Sequence, residues 1–206
     1  MIEEIENMLA DYQPSPLGNQ RLYSVMLPLI QREGEWHILF ERRSQKISQP
    51  GQTSFPGGAV EMGESFKQAA IRETMEELNL SRNQIELLGE IDYIVSEERL
   101  IHCFVCKLTA PFETIHYDEA EVAAIFTIPL QYFIKNRPTY YTSRFVLEHD
   151  DDFPYDLVPT GKGYRFNGGK HRIPFYRING YSLWGYTANL TDHFIDLLTS
   201  RKIKPF

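Results

Sequence analysis

The chain has 206 residues, 42% of them hydrophobic and 24% charged, with a formal net charge of −7. That length and balance suit one soluble globular domain with a sizeable core. The acidic charge argues against a nucleic-acid partner, which needs a basic footprint, and no apolar run is long enough to span a membrane.

Residues 1–12 suit a short amphipathic helix ending near Pro14-Ser-Pro16. The start, Met1-Ile-Glu-Glu-Ile-Glu6, is acidic, unlike a secretory or transit leader, so a cytoplasmic protein is expected. Residues 22–30 read as a strand, with Pro28 suggesting an edge or a bulge. Residues 32–35 form a turn and 36–40 the returning strand of a hairpin. A polar loop spans 42–52, and a short strand and turn over 53–60 leads into a helix at 66–78. Ser65 is the N-cap of that helix, Gln68 holds the capping-box position, and Asn79 stands where a left-handed residue is expected. Further strands are expected at 85–93, 100–109, 121–128, 139–147 and 173–178. A short helix runs from Pro129 to Asn136, a turn-rich stretch covers 149–172, and a last helix runs over 183–201. Strands and helices alternate without a linker or repeat, which gives a single α/β domain over 1–206. Residues 1–20 are a helical extension of it, and 180–206 a C-terminal helix packed on it. Cys103 and Cys106 are spaced Cys-x-x-Cys, but no second pair and no turn accompany them. In a strand they face opposite sides, so they read as buried inert thiols.

The chemistry concentrates between Gly58 and Glu77. On a helix, Glu73, Glu76 and Glu77 share one face, while Ile71, Met75 and Leu78 form a buried stripe on the other. Glu73 and Glu77 repel each other by roughly 0.2–0.5 kcal/mol at this spacing, and no basic residue follows at the spacing that would relieve them. A hard divalent cation would, because Mg²⁺ takes a few carboxylate oxygens and completes its shell with water and phosphate. The glycines of Phe55-Pro-Gly-Gly58 let the backbone approach such a group closely. The competing reading is a solvated acidic helix face.

Gly58, Glu64, Arg72, Glu73, Glu76 and Glu77 stand at the fixed spacing Gly-x5-Glu-x7-Arg-Glu-U-x-Glu-Glu-x-Gly-U, with U a bulky apolar residue. The segment resembles the Nudix box, with Thr74 in place of the first apolar residue and Asn79 in place of the last glycine. The resemblance implies an α/β/α sandwich with a mixed β-sheet and hydrolysis of a diphosphate linked to another group. It implies Mg²⁺ or Mn²⁺ held by Glu73 and Glu77, with Glu76 sharing metal or water contacts and the Gly57-Gly58 turn adding a backbone carbonyl. Glu64 and Arg72 then brace loop and helix as an ion pair; the alternative is a rim salt bridge of little worth.

Upstream, Leu39, Arg42, Gly51, Gln52 and Phe55–Gly58 resemble the segment that marks the coenzyme A pyrophosphatase branch, Leu-Leu-Thr-x-Arg-Ser-x3-Arg-x3-Gly-Gln-x2-Phe-Pro-Gly-Gly. Phe40, Arg43 and Ile47 depart from it. Residues 121–130 and Tyr181–Ala188 are similar to further segments of that branch. A coenzyme A-class nucleotide substrate is implied, cleaved to 3′,5′-ADP and 4′-phosphopantetheine. Arg42, Arg43 and Lys46 are placed to meet phosphates, with Arg42 carrying the family match; Gln52 and Phe55 join them as substrate-binding candidates. The general base is Glu119, Glu121 or a box acid such as Glu76, with Glu121 the better aligned. The basic stretch 161–172 is either a site for the extra phosphate or adenine, or a solvated loop. Two rivals stand beside this reading: hydrolysis of another nucleoside diphosphate derivative (ADP-ribose, a dinucleotide or an oxidised nucleotide), and a nucleotide sensor without turnover. A homodimer is compatible with the chain, and nothing in the sequence selects it.

Overall fold

The two strands of the N-terminal hairpin build the centre of the main sheet. They are β1 (Arg21–Arg32) and β2 (Glu35–Arg43), joined through Glu33 and Gly34, both at positive φ, as tight hairpin turns require. A helix, α1 (Ile2–Ala10), precedes them with no buried residue. The chain continues through β3 (Thr53–Ser54), β4 (Gly57–Ala59), α2 (Phe66–Glu77), β5 (Ile85–Val95), β6 (Arg99–Leu108), β7 (Val122–Pro129) and α3 (Leu130–Lys135). It ends with β8 (Thr139–Arg144), β9 (Lys170–Ile178), β10 (Tyr181–Trp184) and α4 (Gly185–Thr199). This computed structural model describes residues 1–166 and 168–200. The expected end of the last helix at Arg201 lies outside them.

The main sheet has the order β3-β2-β1-β6-β5, with β4 also paired to β1 and β7 to β2. Only β1 and β6 run parallel, so the sheet is mixed. Strands β10, β9 and β8 form a second, antiparallel sheet. One face of the main sheet packs Met26, Ile30 and Leu39 against Ala70 and Ile71 of α2 and Leu78 at its C-cap. The other packs Leu27, Ile38 and Phe40 against Phe133 of α3 and Leu190, Phe194 and Ile195 of α4. Side-chain alternation along β1 and β2 therefore feeds two cores, and helices cover both faces, as the α/β/α expectation required. Cys103 and Cys106 are fully buried in opposite cores, and burial raises both thiols, Cys106 to about 12.

Three expectations are corrected. Pro28 lies in the sheet's interior, opposite Cys106 of β6, and not at an edge. Its missing N–H falls where β1 changes neighbours: residues 23–25 pair with β4, residues 29–32 with β2, and Met26 N–H reaches Pro56 O at 2.8 Å between them. The last helix starts at Gly185, because Tyr181–Trp184 pairs with β9 as β10. Gly185 adopts φ 65 and ends that strand. The strand expected at 139–147 stops at Arg144.

Candidate active site

Helix α2 is fixed at both ends by its own sequence. Gln68 N–H donates to Ser65 Oγ at 3.3 Å and Ser65 N–H donates to Gln68 Oε1 at 2.9 Å, so the capping box forms. Asn79, at φ 48, closes the other end. Thr74 is fully buried, its hydroxyl donating to Ala70 O at 2.6 Å. That bond satisfies the hydroxyl and lets threonine take an apolar position.

The helix delivers its acids to the glycine turn. Gly57 N–H donates to Glu77 Oε2 at 2.8 Å. A Cβ on Gly57 would overlap the backbone of Ser24 and Val25, and one on Gly58 would overlap the Glu73 carboxylate. Glycine at both positions is what allows strand, turn and acids to touch. Arg72 lies at the centre of the cluster. It makes two 3.0 Å bonds to Glu64, donates to Ala59 O at 3.1 Å, and reaches Glu73 at 2.8 Å and Glu76 at 3.1 Å. The Glu64 carboxyl is held below the usual range by these bonds, and the guanidinium is correspondingly raised. Glu76 is exposed, Glu73 half-buried and Glu77 buried.

Behind Glu77 stands a carboxyl that the sequence reading did not single out. Glu41 ends the apolar run Ile38-Leu39-Phe40 of β2 and is 2% exposed. Strand parity puts it on the Leu39 side, facing α2. Its carboxyl lies against that of Glu77, while its Oε1 has no hydrogen-bond partner among the described residues. Burial raises the Glu41 carboxyl well above the ordinary range, and Glu77 and Glu121 add to the effect. Burial also pushes Glu77 up to about 8; the bond from Gly57 opposes this, Glu73 and Glu121 reinforce it, and Arg43 opposes it. Glu73 is raised by burial against the pull of Arg72.

Glu73, Glu76, Glu77 and Glu121 border an open cleft of about 490 Å³. Glu73, Glu76, Glu77, Gly58 and Arg72 line one side; Phe55, Arg43 and Glu121 line it too, with Arg99 from β6 and Tyr186 and Thr187 from α4. An adjoining space of about 230 Å³ shares Arg43 and Arg99 and adds Gln52, His171 and Trp184. Arg42, expected to be the stronger phosphate contact, lines neither space; it borders a separate cavity with Ala124 and Phe126. Successive strand residues point to opposite faces, so the face that carries Glu41 toward α2 also carries Arg43. Arg43 Nε–H donates to Ser48 O at 2.9 Å, which ties it to the 44–52 loop. Lys46 and Glu119 border none of these spaces, and Glu121 stands exposed at the rim.

Among the described residues, no three acidic, cysteine or histidine side chains converge as a finished metal cage. Arg72 takes up Glu73 and Glu76 in this arrangement. The donor set nevertheless suits a hard cation: the carboxylates of Glu73, Glu76 and Glu77 are crowded on one side of the cleft, Glu73 half-buried and Glu77 buried.

Comparison with known proteins adds four likenesses. The sequence model of the NUDIX domain matches residues 20–145. An uncharacterized Nudix hydrolase, NudL, of Enterobacter sp. (strain 638) is 30% identical over 173 residues, covering 84% of this chain and 80% of its own. The peroxisomal coenzyme A diphosphatase NUDT7 of Mus musculus is 30% identical over 154 residues, covering 71% of this chain and 64% of its own. The crystal structure of a MutT/nudix family protein from Enterococcus faecalis matches with a TM-score of 0.51 at 14% identity, over 100% of this chain and 72% of that one. The last likeness concerns the fold alone.

Proposed function

The chain belongs to the Nudix family, and from that premise we propose that it hydrolyses the diphosphate of coenzyme A or its derivatives, with Mg²⁺ or Mn²⁺. The observation that carries this reading is the crowd of box carboxylates on a cleft that also holds Arg43. Glu73, Glu77 and Glu76 would hold the cation, with a carbonyl of the Gly57-Gly58 turn. When bound, the ion neutralises phosphate charge and activates water.

The chain's own residues supply the rest. Gly57 fixes Glu77, and the Glu64–Arg72 pair fixes the turn against the helix. Arg43 offers a planar guanidinium to phosphate oxygens. Phe55 and Leu190 give the cleft apolar wall. Glu121 accepts a proton from the attacking water, with Glu76 the alternative acceptor. The water oxygen bonds to one phosphorus as the bridging P–O bond breaks, and the departing phosphate leaves with the bridging oxygen.

Three observations favour coenzyme A. Gly51, Gln52 and Phe55–Gly58 keep the branch segment. A relative at 30% identity is named as a coenzyme A diphosphatase. The space beside the acid cleft brings Arg43 and Arg99 together with Trp184, which suits a further phosphate next to a flat base. Product chromatography over a panel of coenzyme A, acyl-coenzyme A, ADP-ribose, NADH and dinucleoside polyphosphates tests the reading. Coenzyme A should be cleaved fastest, to 3′,5′-ADP and 4′-phosphopantetheine. Equal or faster cleavage of ADP-ribose overturns the substrate, and tight binding of one compound without turnover of any overturns the hydrolase.

A further inference from the structure

We propose that Glu41 is a positioning residue for the cation site: its carboxyl hydrogen-bonds Glu77 from the sheet side and fixes how Glu77 faces the cleft. The inference rests on the metal-dependent reading above.

Its basis is geometric. Glu77 is gripped from two directions. Gly57 N–H holds Oε2 at 2.8 Å, and Glu41, 2% exposed on the α2-facing side of β2, closes the sheet side. Glu41 does not border the cleft, whereas Glu77 does, so Glu41 reaches a bound ion only through Glu77. The position is costly. An apolar residue there would extend the buried run Ile38-Leu39-Phe40, whereas a carboxyl with one unpartnered oxygen loses hydration without full return. Ser54 pairs directly with Glu41 across β2 and β3, and its hydroxyl is also buried without a partner. Two unmet polar groups on one rung, beneath the acid expected to bind the ion, form a supporting layer for that acid. Such a layer keeps a ligand's rotamer fixed, and a ligand allowed to rotate binds its ion more weakly.

The role is separable from bulk negative charge. Glu41→Gln keeps volume and a permanent N–H donor toward Glu77 but no charge, whereas Glu41→Leu keeps neither donor nor acceptor. Mn²⁺ titration of the metal-stripped full chain, read by electron paramagnetic resonance, measures affinity without turnover. Glu41→Leu should bind Mn²⁺ about 10–100-fold more weakly than wild type, and Glu41→Gln within about threefold of it by the hydrogen bond it retains. In EDTA, Glu41→Leu should melt at or above the wild-type temperature, because a buried carboxyl with one unpartnered oxygen has given way to apolar burial. Wild-type affinity in Glu41→Leu overturns the proposal, and so does a loss in Glu41→Gln equal to that in Glu41→Leu. A fall in EDTA melting temperature that matches the binding loss also overturns it, since the defect would then be general unfolding. Wild type that binds no Mn²⁺ overturns the metal-dependent reading itself, an outcome distinct from these.

Discussion

Buried acids lie on both faces of the main sheet, and they are treated in opposite ways. Asp192 of α4 is 5% exposed and fully partnered. It meets Arg137 at 2.7 Å, accepts from Tyr140 Oη at 2.6 Å and from Tyr176 Oη at 3.4 Å, and so ties α4 to the second sheet. Its environment raises both tyrosines, Tyr140 to about 12, first through burial and then through the carboxylate. On the other face, Glu41 and Glu77 share a pocket in which Arg43 is the cation that draws them down and further acids push them up. A buried carboxylate with protein partners is a tie between elements. A group of buried carboxylates short of partners is a site waiting for positive charge from elsewhere.

The contrast breaks most visibly at Glu77. Glu77→Gln should lower the rate of coenzyme A hydrolysis by about three orders of magnitude, since ion-borne charge stabilisation is worth several kcal/mol, while the folded state is kept or strengthened. Product chromatography beside a thermal melt checks both halves. Asp192→Ala should do the reverse: about 2–4 kcal/mol of stability lost in urea unfolding, because Arg137 and two tyrosines lose their acceptor, with Mn²⁺ affinity unchanged. Arg43→Ala should raise KM for coenzyme A by about 10–100-fold, the worth of one or two charge-assisted bonds, and Arg42→Ala should leave it within about twofold because it contacts no cleft atom.

The mildest effect is a slope. Glu77 titrates near 8 in the folded, metal-free protein against 4.5 for an ordinary glutamate. Between those values the folded state holds a proton that the unfolded chain has released, so stability falls as pH rises from about 4.5 to 8. Melting curves in EDTA across that window should show the decline, with a shallower one in Glu77→Gln.

How legible each region was follows from how local its determinants are. The acid helix could be read in advance because cap, capping box, buried stripe and left-handed stop all lie within residues 65–79. The Glu64–Arg72 brace is equally local. Which neighbouring arginine faces the cleft depends on the parity of β2, which pairs with β7 up to Arg42 and then shifts register to set Arg43 opposite Val122. The gap-free match to the branch segment favoured Arg42. Shifting that match by one residue would have put Arg43-Ser44 on its Arg-Ser pair, with a loop one residue shorter, and that signal was available. Glu41 was legible in principle as a charge ending an apolar run, a pattern that argues for burial with a purpose. Arg99, Tyr186 and Trp184 were not, because they reach the cleft or its adjoining space through parallel pairing of β1 with β6 and through the β9–β10 hairpin, both long-range in sequence. Leu183 and Trp184 lost their expected helix to the same hairpin.

Diffraction at the manganese edge from a crystal grown with Mn²⁺ tests the central claim most directly. The account predicts an anomalous peak bounded by Glu73 and Glu77 at the glycine turn, with the Arg72 guanidinium withdrawn from Glu73 and still paired with Glu64. A map with no peak there, and Arg72 still bonded to Glu73 and Glu76, would contradict it.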